Sequence, residues 1–193
     1  LEVCIGLIRN HFKKFAYEII VSFNGKQEGY VIPPSLKGHI DKLILIEKNL
    51  GHIEGSRQLL KKGFEAVASE STYVIFLEAD TWLLKESLII DTIDDMEQSN
   101  SVWAASKWNP YAHMLGIDFA VAKRDFIEKN PEILNIEHMV EEYICCYLKD
   151  NNYNWLYIKS LMPVHMTKVI QPFFRINSWR LKEFPVAGVV THH

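Results

Sequence analysis

The sequence predicts one α/β domain over residues 1–193, in which a mostly parallel central sheet is flanked by helices. Helical and extended hydrophobic patterns alternate along the chain, and this alternation is typical of a doubly wound parallel sheet. Residues 73–77 form a short, uninterrupted apolar run, which predicts a strand buried on both faces. Apolar residues make up 48% and charged residues 23% of the chain, as in an ordinary globular domain.

The first part of the chain predicts the order helix, strand, strand, helix, strand. Apolar residues recur at helical spacing from Leu1 onwards, and the pair Asn24-Gly25 has the turn chemistry that ends a strand. In order, these patterns predict an amphipathic helix over residues 1–15, strands over 17–23 and 43–46, a helix over 55–68 and the strand over 73–77.

The second part continues the alternation less regularly. Ile136, Val140, Tyr143 and Ile144 form one apolar stripe and predict a helix, while Pro131 stops the helix before it. The predicted elements are helices over 87–96, 123–130 and 136–148, with strands over 101–106, 116–122 and 153–158.

Charge and cysteine content exclude several classes of protein. The net charge of -3 gives no general attraction to nucleic acid, so we expect no nucleic-acid partner. No apolar run approaches the roughly 20 residues that a membrane-spanning helix needs, so we expect no transmembrane segment in this chain. The three cysteines form no disulfide framework and no Cys-x-x-Cys metal spacing, which favours a reducing compartment and a cytoplasmic location.

Two carboxylates directly follow the buried strand at 73–77. Glu78 and Asp80 are expected at its carboxyl end, which is the edge of an open α/β sheet where ligands bind. Carboxylate oxygens are the ligands that Mg²⁺ or Mn²⁺ takes while it also grips a phosphate. The alternative interpretation is a strand end whose acids reach solvent, or an aspartate that caps the next helix.

Three features line up along the first half of the chain. The turn Asn49-Leu50-Gly51 ends the second strand, Arg57 lies in the first turns of the next helix, and Glu78-Ala79-Asp80 ends the third strand. Over residues 17–84 this pattern resembles the GT-A fold of nucleotide-sugar glycosyltransferases, in particular the large inverting family 2 type. The resemblance implies a Rossmann-like domain with a donor nucleotide and metal part at 1–84 and an acceptor part at 85–193.

The resemblance also implies partners and roles. The donor is a nucleoside-diphosphate sugar, the acceptor is a saccharide or another hydroxyl compound, and the cofactor is Mn²⁺ or Mg²⁺. Asp80 is the implied metal ligand and Glu78 the donor-side acid that assists it, while Asn49 and Arg57 lie at the donor. The divalent cation suits this chemistry because a leaving nucleoside diphosphate develops negative charge in the transition state.

The family opens with a strand that lies next to the strand carrying the acids. Near Leu1 the periodicity is helical, and the gap to residue 17 is too short for a crossover. The first strand of the family is therefore expected to be missing from this sequence, so that an upstream piece or a substitute strand takes its place.

An inverting transfer needs a general base that takes the proton of the acceptor hydroxyl. In the family this base lies at a helix before a late strand, and the helix at 136–148 offers Glu137, Glu141 and Glu142. Counting back from the strand favours Glu141, with Glu137 one turn earlier on nearly the same face. A solvated acidic helix face is the alternative interpretation for each of them.

Other polar and aromatic residues extend the expected site. His165 falls where family members often place a histidine near the metal, and Asp118 is expected to contact the acceptor or the donor sugar, or to be a strand-end acid without a ligand. Sugar rings stack on aromatic surface, although tryptophan more often packs in a core. The aromatic candidates are Trp82, Trp103, Trp108 and Tyr111.

Two alternatives remain open at this point. A sugar nucleotidyltransferase shares the fold class, and its Gly-rich signature would lie in the missing first strand-to-helix loop. A non-catalytic or degenerate GT-A relative would keep the fold and bind nucleotide or sugar. Glu78 in place of the usual aspartate and the missing first strand favour this second alternative.

Overall fold

The computed structural model describes residues 1–25, 29, 31–108 and 114–159, together with the backbone of two strands at 182–183 and 189–191. These residues form a mixed α/β structure, so the predicted α/β class is confirmed. The described part contains five α-helices: α1 (Glu2–His11), α2 (His52–Glu65), α3 (Ser87–Gln98), α4 (Arg124–Lys129) and α5 (Val140–Asp150). Short 3₁₀ turns occupy Pro34–Leu36 and Pro131–Leu134.

The described strands form three sheets. The order is β1-β2 in the first, β3-β6-β5-β7 in the second and β4-β9-β8 in the third. Their bounds are β1 (Ile20–Asn24), β2 (Lys42–Ile46), β3 (Tyr73–Leu77), β4 (Trp82–Leu83), β5 (Trp103–Lys107), β6 (Leu115–Lys123), β7 (Trp155–Tyr157), β8 (Lys182–Glu183) and β9 (Val189–Thr191).

The pairing of β3 corrects the expected sheet. Its bounds are as predicted, but it is an edge strand of its sheet among the described residues, and it pairs antiparallel with β6. β6 also runs antiparallel to β5, and in this sheet only the β5 and β7 pairing is parallel. The prediction of a mostly parallel sheet is therefore wrong for the described strands. In the four-stranded sheet, β6 lies between β3 and β5 and runs antiparallel to both of them.

Two apolar layers cover the two faces of the four-stranded sheet. One contains α4 and α5, and includes Trp103, whose ring stacks on Phe76 with centroids 5.4 Å apart. The other contains α1 and α3 and packs against Phe119 and Val121 of β6. The alternation of β6 between these layers explains why its run of small and apolar residues is almost completely buried.

The helix expected over 136–148 begins later than predicted. Residues 131–134 form the 3₁₀ turn that starts with Pro131, and Met139 is extended with φ -54° and ψ 124°, so α5 starts at Val140. Ile136 is buried because it packs in the core from a non-helical segment. Glu137 therefore precedes the helix and is exposed, and its expected place one turn before Glu141 on the same helical face is wrong.

No helix of the described residues is long and apolar enough to cross a membrane. Cys4, Cys145 and Cys146 form no disulfide bond, and of the three only Cys146 is exposed. The expected cytoplasmic location stays a prediction.

Glu86 joins the end of α1 to the start of α3. Its carboxylate accepts backbone N–H groups from Lys13 at 3.1 Å, Lys14 at 2.8 Å and Phe15 at 3.3 Å. Burial opposes ionisation of this carboxyl, but the three N–H donors outweigh it and lower the pKa of Glu86. The ionised carboxylate therefore holds the end of α1 more strongly than the protonated carboxyl does.

We expect the contribution of Glu86 to stability to depend on pH. Because its folded-state pKa is lowered, the contribution is present at neutral pH and is lost as the pH falls through the folded-state value. Glu86→Gln should lower the midpoint of urea unfolding at pH 7, and its curve should converge with that of the wild type in acid. Glu132→Gln, at an exposed site, is the control, and a loss that persists unchanged in acid would contradict this role.

Candidate functional site

The two predicted acids lie in a turn at the carboxyl end of β3. The backbone N–H of Thr81 donates to the carbonyl of Glu78 at 3.0 Å and closes this turn around Ala79 and Asp80. Glu78 and Asp80 are half-buried, and Ala79 between them is exposed. The turn therefore places both acidic residues at the carboxyl end of β3, each partly accessible to solvent.

The strand β6 brings Asp118 next to this turn. The backbone N–H of Glu78 donates to the carbonyl of Asp118 at 3.3 Å, and the hydroxyl of Thr81 donates to the same carbonyl at 2.7 Å. The Asp118 carboxylate itself accepts a 2.8 Å hydrogen bond from the Ser106 hydroxyl and is 2% exposed. Asp118 thus fixes the backbone of the turn, and its side chain is tied to β5.

Thr81 and Ser106 are the residues of this site that sequence reasoning missed. Both are completely buried, and each holds Asp118 from a different side. Ser106 lies where the pairing of β5 with β6 becomes irregular, between Ala105 and Lys107, as in a β-bulge. The sequence offered a signal for each: Ser106 is the polar residue that ends the predicted strand at 101–106, and Thr81 directly follows the acidic pair.

The first turn of α1 lies close to the acidic turn. Burial is the main cause of the raised pKa of the Cys4 thiol; the chain's amino group opposes this shift, and the negative charge of Asp80 adds to it. The same helix packs against β4, which directly follows the turn.

Asn49 and Arg57 lie at the β2 side of the molecule. The Asn49 side-chain oxygen accepts the N–H of Gly51 at 2.9 Å, and Gly51, with a φ of 82°, directly precedes α2. Arg57 pairs with Glu54 and lines an open groove of about 670 Å³ with Ile44 and Ile46. Each has a local structural role, and a donor contact for either stays a prediction.

The three candidate bases have different environments. Glu141 lies in the first turn of α5 and is 8% exposed, whereas its neighbour Glu142 and the more distant Glu137 are exposed. The positive end of the helix dipole favours a carboxylate in this turn. Glu141 is therefore the candidate that the fold removes from bulk solvent.

The two carboxylates of the acidic turn supply part of the ligands that a hard divalent cation needs. Magnesium is commonly held by one or two carboxylates together with substrate phosphates, and Glu78 and Asp80 offer this set. Within residues 1–159, as far as they are described, no group of three or more histidine, cysteine or acidic side chains is arranged to hold a metal ion. His165, the expected third ligand, lies outside the described residues.

The aromatic residues that were candidates for sugar stacking differ in their exposure to solvent. Trp103 is buried against Phe76, so its expected sugar contact is replaced by a packing role. Trp82 is 40% exposed in β4 directly after the acidic turn, and Trp108 is half-buried just beyond β5. Tyr111 lies outside the described residues.

Neither a protein-family model nor a curated protein sequence matches the chain. The fold and the site therefore define a structural class: a mixed α/β domain with an acidic turn at the end of one strand.

Proposed function

We propose that this chain transfers a sugar from a nucleoside-diphosphate sugar to an acceptor hydroxyl, with Mn²⁺ or Mg²⁺ bound at the acidic turn. The observation that carries the proposal is the turn after β3, which presents Glu78 and Asp80 at one sheet edge. Hydrogen bonds from Thr81 and Glu78 to the carbonyl of Asp118 fix the backbone of this turn, so the backbone that carries both carboxylates is preorganised. Such preorganisation favours the binding of a charged ligand.

The roles of the two acids follow from their positions. Asp80 would bind the cation, and Glu78 would assist it from the strand end. When bound, the cation would neutralise charge that develops on the leaving diphosphate. The buried pair Asp118 and Ser106 would hold the turn in place without direct contact to the donor.

The transfer also needs a general base that takes the proton from the acceptor hydroxyl. Glu141 suits this role because the fold shields it from bulk solvent at the start of α5. In an inverting transfer its carboxylate would take the proton as the hydroxyl oxygen bonds to the anomeric carbon and the diphosphate leaves. The acceptor would be a saccharide or another hydroxyl compound.

Thermal unfolding with nucleotides tests the binding step. UDP, GDP and their sugars are added with and without Mn²⁺. A nucleotide at about 100 times its dissociation constant stabilises the folded chain by about 2.7 kcal/mol, or roughly 5–10 °C in a domain of this size. We expect this shift for at least one nucleotide and only with metal. The absence of any metal-dependent shift would overturn the proposal.

A non-catalytic relative that binds nucleotide or sugar is the second candidate. The observation that favours it is Glu78, a glutamate where the GT-A pattern that the sequence resembles has an aspartate. Metal-dependent nucleotide binding without release of UDP or GDP from any sugar donor would favour this candidate over the transferase.

A further inference from the structure

A groove of about 670 Å³ lies between β2 and the flank of α2. A Cβ on Gly63 would lie 2.8 Å from the Ser22 hydroxyl oxygen, and one on Gly55 would lie 3.2 Å from the Asn24 side chain. The helix therefore packs over β1, and β2 lies beside it. The α2 residues that line the groove recur at helical spacing and so share one face: Glu54, Arg57, Gln58, Lys61, Lys62 and Glu65.

The outer edge of β2 carries backbone groups that pair with no strand of the described residues. β2 pairs with β1 alone, and the N–H of Lys42 donates to the carbonyl of Ile19 at 3.2 Å. Every second residue from Lys42 therefore directs its backbone groups to β1, and the N–H and C=O groups of Leu43 and Leu45 point outwards. Leu45 lines the groove, so this edge forms part of the groove wall.

The two faces of β2 offer different surfaces to a neighbouring strand. Ser22 faces α2 and pairs with Ile44, so Ile44 faces α2 as well and lines the groove. Leu43 and Leu45 lie on the opposite face, where they are 42% and 49% exposed. A strand added at this edge would place alternate side chains beside these leucines and the others in the groove.

The centre of the groove carries a positive charge that no carboxylate of the described residues neutralises. The other charged side chains of the groove form ion pairs with each other, Arg57 with Glu54 and Lys62 with Glu65. The ammonium of Lys61, between these pairs, donates instead to the neutral side-chain oxygen of Asn135 at 2.5 Å. A carboxylate at this point of the groove would be attracted by Lys61, and a second cation would be repelled.

From this geometry we infer that the groove is a docking site for an extended segment of a partner protein with alternating apolar and polar side chains. The segment adds to the outer edge of β2 through its backbone, and its apolar side chains lie beside Leu43 and Leu45. A glutamate or aspartate in the middle of its polar set binds Lys61. The flank of α2 from Glu54 to Glu65 is about 16 Å long, which corresponds to about five extended residues. The proposal is independent of the proposed function.

A second copy of this chain fits the edge less well. In a symmetric antiparallel pair centred on Ile44, Leu43 would lie opposite Leu45 of the other copy, but Asp41 would lie opposite Glu47. Like charges directly opposite each other destabilise a sheet. Registers centred on Leu43 or Leu45 place Asp41 or Glu47, respectively, opposite a leucine.

Binding of a fluorescent peptide to the full chain, followed by anisotropy, tests the site. The peptide is acetyl-Gly-Leu-Thr-Val-Glu-Val-Thr-Leu-Gly-amide with a dye at one end, and a second peptide has lysine in place of the glutamate. We expect the glutamate peptide to bind at least about tenfold more tightly than the lysine peptide. Equal affinities, or no saturable binding of the glutamate peptide, would overturn the proposal.

A charge swap makes this preference specific to the groove. Lys61→Glu should reverse the order of the two peptides, because the charge that meets the central residue is then negative. Lys149→Glu makes the same change at an exposed site on α5 and should keep the preference of the wild type. A folded Lys61→Glu chain that still prefers the glutamate peptide would contradict the inference.

Amide hydrogen exchange of the wild-type chain locates the peptide. The amides of Leu43 and Leu45 should slow by about tenfold or more when the glutamate peptide binds, whereas that of Ile44, which already faces β1, should change little. Unchanged exchange at both leucines would overturn the proposal. Protection that rises with chain concentration in the absence of peptide would also overturn it, because the occupant would then be a second copy.

Discussion

Asp80→Ala will abolish the metal-dependent stabilisation of the chain by nucleotide. The carboxylate of Asp80 is half-buried in the turn after β3 and is the expected cation ligand. Without Asp80, the site has one carboxylate fewer to bind the cation. The negative charges of the diphosphate and of Glu78 would then repel each other without a cation between them. We expect the roughly 5–10 °C shift to disappear and the release of nucleoside diphosphate from a sugar donor to fall to background.

Two further variants make this result specific. Asp91→Ala removes an exposed carboxylate from α3 and should leave the nucleotide shift unchanged. Glu78→Ala should weaken the shift by less than Asp80→Ala, because Glu78 has the assisting role. A nucleotide shift that persists in Asp80→Ala, or that never depended on metal, would contradict the placement of the cation at this turn.

Local patterns predicted most of the secondary structure. The bounds of β3 follow from its uninterrupted apolar run, and the apolar stripe of α2 placed that helix within three residues at each end. The start of α5 was harder, because Ile136 fits the helical period but packs from a segment outside the helix. A buried residue at a helical spacing therefore does not by itself show that the chain between is helical.

Strand pairing was the part that local patterns did not predict. An apolar run reports that a strand is covered on both faces, but it does not report the direction of its neighbours. β6 is longer than its partners and pairs antiparallel with both, and this depends on contacts between residues that are far apart in the sequence. β4 has two residues and was missed, since so short a strand has no periodicity.

The sequence predicted the two acidic residues of the candidate site, but it did not predict the residues that fix the turn around them. Glu78 and Asp80 stand out because two carboxylates follow a buried strand. The residues that fix their turn are Thr81 and the pair Asp118 and Ser106, which are joined across sheet positions that sequence spacing does not relate. Asp118 was expected to contact the acceptor or the donor sugar, and the structure shows that its carboxylate accepts a buried hydrogen bond.

The three candidate bases show how burial separates residues that sequence treats alike. Glu137 lies in the non-helical segment before α5, and Glu142 is exposed on that helix. Glu141 is shielded from bulk solvent, and the burial of a carboxylate costs free energy that hydrogen bonds, ion pairs or the helix dipole must offset. The first turn of α5 offsets part of this cost through the helix dipole.

Glu141→Gln is therefore expected to lower turnover about 10²- to 10⁴-fold, the usual contribution of a general base, while metal-dependent nucleotide binding stays intact. Glutamine keeps the shape of the side chain, so the unfolding midpoint should change little. Glu142→Gln is the matched control, because it removes the adjacent exposed carboxylate and should leave turnover within about twofold. Release of nucleoside diphosphate from a sugar donor gives turnover, and thermal unfolding gives binding and stability. An unchanged turnover in Glu141→Gln, or a loss that follows a fall in its stability, would show that Glu141 serves the fold and not proton transfer.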